Sequence, residues 1–225
     1  MLKIRLLCFL FVLVGLSTRA QFNLGGQFSY LNGFDENNSG HAGGGIKLEY
    51  SAMPEFAVVG GFAFYSTAAY NTEYLAEAYN SATVPQTVVV DVRNDVSVMR
   101  FFLGAKQYVV GQHYTFKKYN GVNVYLEADF GVLVANYLSN AQVSSTVNAE
   151  IYEVNIADKN YGSTLDYNLS AGAGIEKKIA GFFMYAEVLG NVKLYQRSYT
   201  TIRLSMPFSF CANFGIRIPL GDEYL

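Results

Sequence analysis

The stretch Leu165–Tyr195, "LDYNLSAGAGIEKKIAGFFMYAEVLGNVKLY", decides the fold. Its first half alternates strictly. Leu165, Tyr167, Leu169, Ala171, Ala173 and Ile175 share one parity; Asp166, Asn168, Ser170, Gly172, Gly174 and Glu176 share the other. A period of two places the two sets on opposite faces of a β-strand. The pattern restarts a few residues later, after "KKIAG". One face is apolar, and the other mixes glycine, small polar groups and carboxylates. A soluble sandwich turns its apolar face inward, whereas a membrane barrel turns it outward to lipid. The remainder of the chain chooses between them.

Eight such strands are legible along the 225 residues. The others are "FNLGGQFSYL", "AGGGIKLEYSA", "FAVVGGFAFYS", "VSVMRFFLGAKQYV", "VNVYLEADFGVLVANYL" and the closing "FSFCANFGIRIPL". The connections after strands one to three span about 10, 4 and 28 residues, and those after strands four to seven about 11, 26, 4 and 12. Short turns at one end and long loops at the other are the asymmetry of an up-and-down membrane barrel. Pro54 sets the tight turn in "MPE".

The polar parity carries Lys47, Glu49, Arg100, Lys106, Glu127, Asp129, Asp166, Glu176, Glu187, Lys193, Arg203 and Arg217. Six bases and six acids in an apolar core incur a large desolvation cost unless every charge is paired. In a polar lumen they are ordinary. Glycines on the same parity (Gly25, Gly43, Gly45, Gly131, Gly172, Gly174) suit a narrow interior that bulky groups reach across. The apolar parity is therefore expected to face lipid. The fold expected is all-β: an eight-stranded antiparallel up-and-down transmembrane β-barrel.

The N-terminus agrees. Lys3 and Arg5 precede an apolar run from Leu6 to Leu16, followed by Ser17-Thr18-Arg19-Ala20. This is the form of a secretory signal peptide. The run is shorter than the roughly 20 apolar residues of a spanning helix. Residues 1–20 are read as the signal and 21–225 as one barrel domain, placed in the outer membrane. Loss of Lys3, Arg5 and Arg19 takes the net charge from −2 to −5. That mild acidity argues against nucleic acid. Cys211 is then the single cysteine, so no intramolecular disulfide and no thiolate metal cluster form. Tyrosine, phenylalanine and glycine are abundant, at 18, 17 and 21, while tryptophan is absent. The first two favour strands, and tyrosine also suits a membrane interface.

With its leader, its "YLEADFGVLVANY" and "LSAGAGIEKKI" strands and its closing "FCANFGIRIPLG", the chain resembles the small outer-membrane barrel proteins of Gram-negative bacteria, of the OmpA/OmpX-like eight-stranded kind. That resemblance implies a non-enzymatic barrel with a structural or surface-interacting role, a monomer surrounded by outer-membrane lipid.

Catalytic, cofactor and metal sites are not expected. His41 and His113 are the only histidines. A lipid-modifying barrel enzyme needs a Ser–His pair at the external mouth, and Ser39–His41 is the one stretch that offers it; solvated loop histidines are the plainer reading. "AGGG" at 42–45 and "GAG" at 172–174 open no helix and are not phosphate loops. Glu127 and Asp129 point to one side of a strand, either as a carboxylate pair or as a salt-bridge cluster with Arg100 and Lys106. Two rival functions fit a β-barrel of this size: a channel for small or hydrophobic ligands, and a soluble lipocalin-type carrier. The lumen is expected to be plugged by the polar groups. Two long connections, 66–94 and 138–164, are the candidate contacts for an extracellular or surface protein. "TEYLAEAY" is expected to form a helical turn or two, "TVVVDV" a strand, and the two connections are expected to pair with each other above the membrane. Strand eight is expected to leave the bilayer near Pro207.

Overall fold

A computed structural model describes residues 21–32, 40–80, 82–111, 121–140, 151–153, 161–198 and 207–220. Every regular element in it is a strand: β1 (Gln21–Asn32), β2 (His41–Met53), β3 (Phe56–Ala78), β4 (Thr87–Val110), β5 (Val122–Asn140), β6 (Tyr152–Glu153), β7 (Tyr161–Ile179), β8 (Phe182–Ser198) and β9 (Phe208–Leu220). All ladders are antiparallel, in the order β2-β1-β9-β8-β7-β5-β4-β3, and a β2–β3 pairing closes the ring. Eight strands thus make a barrel wall, and closure leaves no unpaired edge within it. The two-residue β6 lies outside the wall, against the far end of β3.

The alternation read from the sequence is realised with the apolar face outward. On β7, Leu169 is 50% exposed while its neighbour Asn168 is 2% exposed. On β9, Phe208, Phe210, Phe214, Ile216 and Ile218 all face out, and Ser209, Cys211, Asn213 and Arg217 face in. A soluble sandwich would show the reverse.

Tight turns gather at one end of the barrel, here the turn end. Pro54 and Glu55 join β2 to β3, and Ala180-Gly181 joins β7 to β8. Both residues of the second turn have positive φ, 48° at Ala180 and 94° at Gly181. This is the sense of turn that matches the twist of a two-residue hairpin.

At the opposite, loop end, β3 and β4 run to 23 and 24 residues, about twice the roughly 9–11 that a tilted membrane strand needs. They stay paired from Phe56↔Gln107 to Glu77↔Thr87, with an irregularity between Tyr65 and Ala68. The hairpin therefore projects from the barrel as an arm. "TVVVDV" is strand, as expected. "TEYLAEAY" is not helical: Glu73, Tyr74, Leu75 and Ala76 are in register with Asp91, Val90, Val89 and Val88. Its Leu, Ala and Glu favour helix locally, but a continuous ladder to β4 overrides that preference. The connection of about 28 residues shrinks to a short tip between Ala78 and Thr87, closed by Ala78 N donating to Gln86 O at 2.8 Å. The two long connections do meet. Glu77 and Ala78 pair with Glu153 and Tyr152, and the Tyr152 hydroxyl donates to Pro85 O at 2.8 Å.

β9 begins at Phe208, directly after Pro207, whose carbonyl accepts from Lys193 N at 2.9 Å. Proline lacks the N–H that a ladder requires, so a strand start is natural there. The "TIRLSM" stretch lies outside the described residues.

A candidate functional site in the barrel interior

The inward side chains stack in tiers. Nearest the turn end, Glu49 of β2 and Glu176 of β7 hold Lys106 of β4 and Arg217 of β9. Lys106 Nζ stands 3.2 Å from Glu49 and 2.6 Å from Glu176, and Arg217 bonds both acids, 2.7 Å from Glu176. Tyr108 OH donates to Glu176 at 2.8 Å and Asn123 Nδ2 to the same carboxylate at 3.1 Å. Lys106 also lies 3.8 Å from the centre of the Tyr125 ring, and the Arg217 guanidinium lies over Phe183. Two bases face two acids here, so the tier is charge-balanced.

One tier up, Lys47 of β2 reaches Glu127 of β5 at 2.7 Å and Glu187 of β8 at 2.8 Å. Glu187 accepts two further bonds, from Tyr125 OH at 2.8 Å and Asn213 Nδ2 at 2.9 Å. β5 and β8 each stand three strands from β2, in opposite directions around the wall. One ammonium therefore bridges the lumen. Above it, Arg100 of β4 donates through Nη2 to Asp129 at 2.6 Å and to Ser170 Oγ at 2.7 Å.

Toward the loop end the interior changes character. Leu31, Tyr65, Val96, Val98, Leu133, Tyr137, Leu189 and Cys211 form a buried apolar cluster. The Tyr65 hydroxyl lies 3.4 Å from Cys211 Sγ.

No family model matches the chain, and no curated protein matches its sequence. Among solved structures it resembles Neisserial surface protein A, with a TM-score of 0.50 at 10% identity, over 89% of this chain and 97% of that one. It also resembles a major outer membrane protein from Thermus thermophilus, with a TM-score of 0.54 at 10% identity, over 89% and 99% of the two chains. The chain has the fold of the small outer-membrane β-barrels. At these identities the likeness is one of fold.

Within this outer-membrane barrel fold, the eleven described residues of the twelve on the polar parity fall into three groups. Lys47, Glu49, Arg100, Lys106, Glu127, Asp129, Glu176, Glu187 and Arg217 are buried and hydrogen-bonded to one another as described. Asp166 is buried on the same face of β7 but nearer the loop end. Lys193 is half-buried, with Nζ 3.4 Å from Gln196 Oε1. The β7–β8 register shifts between Tyr167 and Asn168, and this turns the β8 alternation at that level. Arg203 lies outside the described residues. Among the described residues the buried set thus contains four bases and six acids.

The pairing differs from the sequence expectation. Asp129 takes Arg100, but Glu127 takes Lys47, and Lys106 is held by Glu49 and Glu176. Neighbours along a strand are visible in sequence, whereas partners across a lumen depend on the barrel's stagger.

His41 is not a solvated loop residue. It is the first residue of β2, fully buried, with Nδ1 3.3 Å from Ser66 O. Ser39 and His113 lie outside the described residues. Among those described, no three His, Cys, Asp or Glu are grouped to hold a metal.

The apolar cluster is what sequence reasoning missed. Its signal was present: Leu133, Ala135 and Tyr137 share parity with Glu127 and Asp129, so "GVLVANYL" is apolar on both faces.

Proposed function

We propose that this chain resides in the outer membrane as a non-enzymatic barrel, with its interior closed and its loop-end arm available for surface contacts. The observation that carries this reading is the Lys47 bridge to Glu127 and Glu187, spanning the lumen inside an outward-apolar wall. An eight-stranded barrel has an interior about as wide as its side chains. Here those side chains are interlocked ion pairs and aromatic rings, so no aqueous path for a hydrated ion crosses the Lys47 tier. The arm of β3 and β4, with β6 against it, extends beyond the apolar band and is the surface offered to an extracellular or surface protein. Outer-membrane lipid surrounds a monomer.

The test combines location and transport. After cell fractionation the protein is expected in the outer membrane, migrating differently on a detergent gel before and after boiling, because a closed ladder resists unfolding. Reconstituted in liposomes it should give no stable large single-channel conductance. Recovery in the soluble fraction with no shift in mobility would overturn the membrane reading. A stable large conductance would overturn the closed interior alone. Unaltered lipid A, judged by mass spectrometry of cells with and without the protein, is the expectation for a chain that does no lipid chemistry.

A further inference from the structure

The outward face of the barrel is not uniformly bulky. Ala105 of β4, Ala128 of β5, Ala171 of β7 and Gly190 of β8 are successive ladder partners and lie side by side across the wall. On their loop side Leu103, Phe130, Leu169 and Val192 are likewise successive partners, each between 46% and 65% exposed. On their turn side stand Leu126 and Val188. Small side chains between two bulky rows leave a groove. It encloses about 650 Å³ over β4, β5 and β7, and a second hollow of about 350 Å³ over β7, β8 and β9 shares Ala173 with it.

The stagger of the strands gives this groove a direction. A row of ladder partners followed from Leu31 of β1 through β9 and on round the wall returns to β1 at Gln21, the turn end of the same strand. Every row taken in that sense therefore descends toward the turns. The alanine row runs from Gly190 down to Ala105, and Gln107, the next outward residue of β4, marks its lower end. Between β7 and β8 a branch descends more directly, past Ala173 and past Ala186, the partner of Ile175. The next outward residue of β7 is Lys177, which is exposed. Among the described residues, it is the one charged side chain on the outward parity of the strands in the turn-end half of the wall.

A lysine on that parity is out of place against hydrocarbon unless its ammonium reaches the headgroup layer, which its long stem allows. There it meets phosphate oxygens. No acid shares that part of the outward parity among the described strand residues, so a net-negative headgroup is favoured over a zwitterion. The groove itself is not closed by the hydrophobic effect, because lipid tails are as apolar as its walls. Dispersion decides what fills it, and a hollow lining forfeits partner atoms on one side. A flexible acyl chain follows a branched, sloping groove. The wall of a second barrel does not, because in a two-fold pair the slopes of facing copies cross instead of aligning.

We propose that the groove and Lys177 together form a site for one anionic phospholipid of the turn-end leaflet. An acyl chain lies over Ala173, Ala171 and Ala128 beneath the ridge of Phe130 and Leu169, and the headgroup phosphate takes the Lys177 ammonium. The inference rests on the membrane reading above. It goes beyond a wall evenly surrounded by lipid, because it makes one lipid class resident at one place.

The test uses the full mature chain folded in detergent, with its heat-shifted gel band as the check of folding. Phosphatidylglycerol and phosphatidylcholine with identical chains are added in turn, and native mass spectrometry counts the lipid retained. The wild type should retain phosphatidylglycerol about fivefold better, the effect of one lysine at an anionic lipid surface. Lys177→Gln should bring the two lipids level, whereas Arg197→Gln, at the loop end, should leave the preference intact. Ala171→Leu fills the groove and should lower phosphatidylglycerol retention with the folded band unchanged. Equal retention of both lipids by the wild type overturns the site. So does a preference that survives Lys177→Gln or is lost equally in Arg197→Gln, or a retention that Ala171→Leu leaves untouched. If Ala171→Leu does not fold, the wild-type ratio and Lys177→Gln decide. Recovery in the soluble fraction with no band shift fails the membrane reading instead, so the two failures are told apart.

Discussion

Lys47 Nζ lies 2.8 Å from a carboxylate oxygen of Glu187, a residue 140 positions away in sequence, and 2.7 Å from both oxygens of Glu127. A single ammonium holds two acids that would otherwise repel each other in a buried site. Removing one partner of such a group leaves uncompensated charge, which costs about 3–5 kcal/mol. Lys47→Met should therefore lower the unfolding free energy by about that amount. Adding Glu127→Gln and Glu187→Gln should restore most of it. A double-mutant cycle on Lys47 and Glu127, followed by gel mobility in urea, should give a coupling of about 0.5–3 kcal/mol. Arg100 and Glu127, which do not pair, should give additive effects.

The outward band predicts a depth dependence. Leu169→Arg and Phe130→Arg place a charge against lipid within the band and should cost about 2–4 kcal/mol, seen as poor insertion and a reduced unboiled band. Tyr195 belongs to an outward aromatic row with Phe130 and Tyr167, adjacent ring centres lying 6.1 Å apart. With its ladder partner Tyr167 it stands nearer the loop end than Phe130, where tyrosine suits the membrane surface. Tyr195→Arg should cost about 0–1 kcal/mol. Equal costs at the three positions would remove the membrane boundary from this part of the wall.

Two glycines on opposite faces should respond differently to one methyl group. On Gly45 a Cβ overlaps the Phe62 carbonyl and stands 2.8 Å from Ala63 Cα, so the β2–β3 ladder must shift to admit it. On Gly26 a Cβ meets nothing within 4 Å. Gly45→Ala should destabilise by about 1–3 kcal/mol through this overpacking. Gly26→Ala should be neutral or mildly stabilising, because it restricts the unfolded chain. Urea titration of both variants measures the contrast.

The β7–β8 turn holds an alanine where the backbone favours another residue. Ala180 has φ 48°, a conformation that strains a residue with a Cβ and that asparagine tolerates better. Ala180→Asn should raise stability by about 0.5–1 kcal/mol, with the mobility and assembly of the barrel unchanged. A loss of stability would show that the turn is held by contacts of the alanine methyl.

The amino-acid sequence by itself determined the wall. Alternation is a local property: once Leu165–Ile175 is extended, Leu169 and Asn168 must point to opposite sides, whatever they meet. Strand existence, the tight turns at Pro54 and Ala180-Gly181, and the choice of which face meets lipid were legible for that reason. Helix propensity misled only at "TEYLAEAY", where pairing with β4 outweighed it. The tertiary structure alone decided the interior. Which acid receives Lys47, why Lys106 leaves Glu127 for Glu49 and Glu176, and that Leu31, Leu133 and Leu189 gather into one apolar cluster all depend on the stagger that brings remote strands to the same height. That stagger is a property of ring closure, distributed over eight ladders, and no single stretch of the chain encodes it.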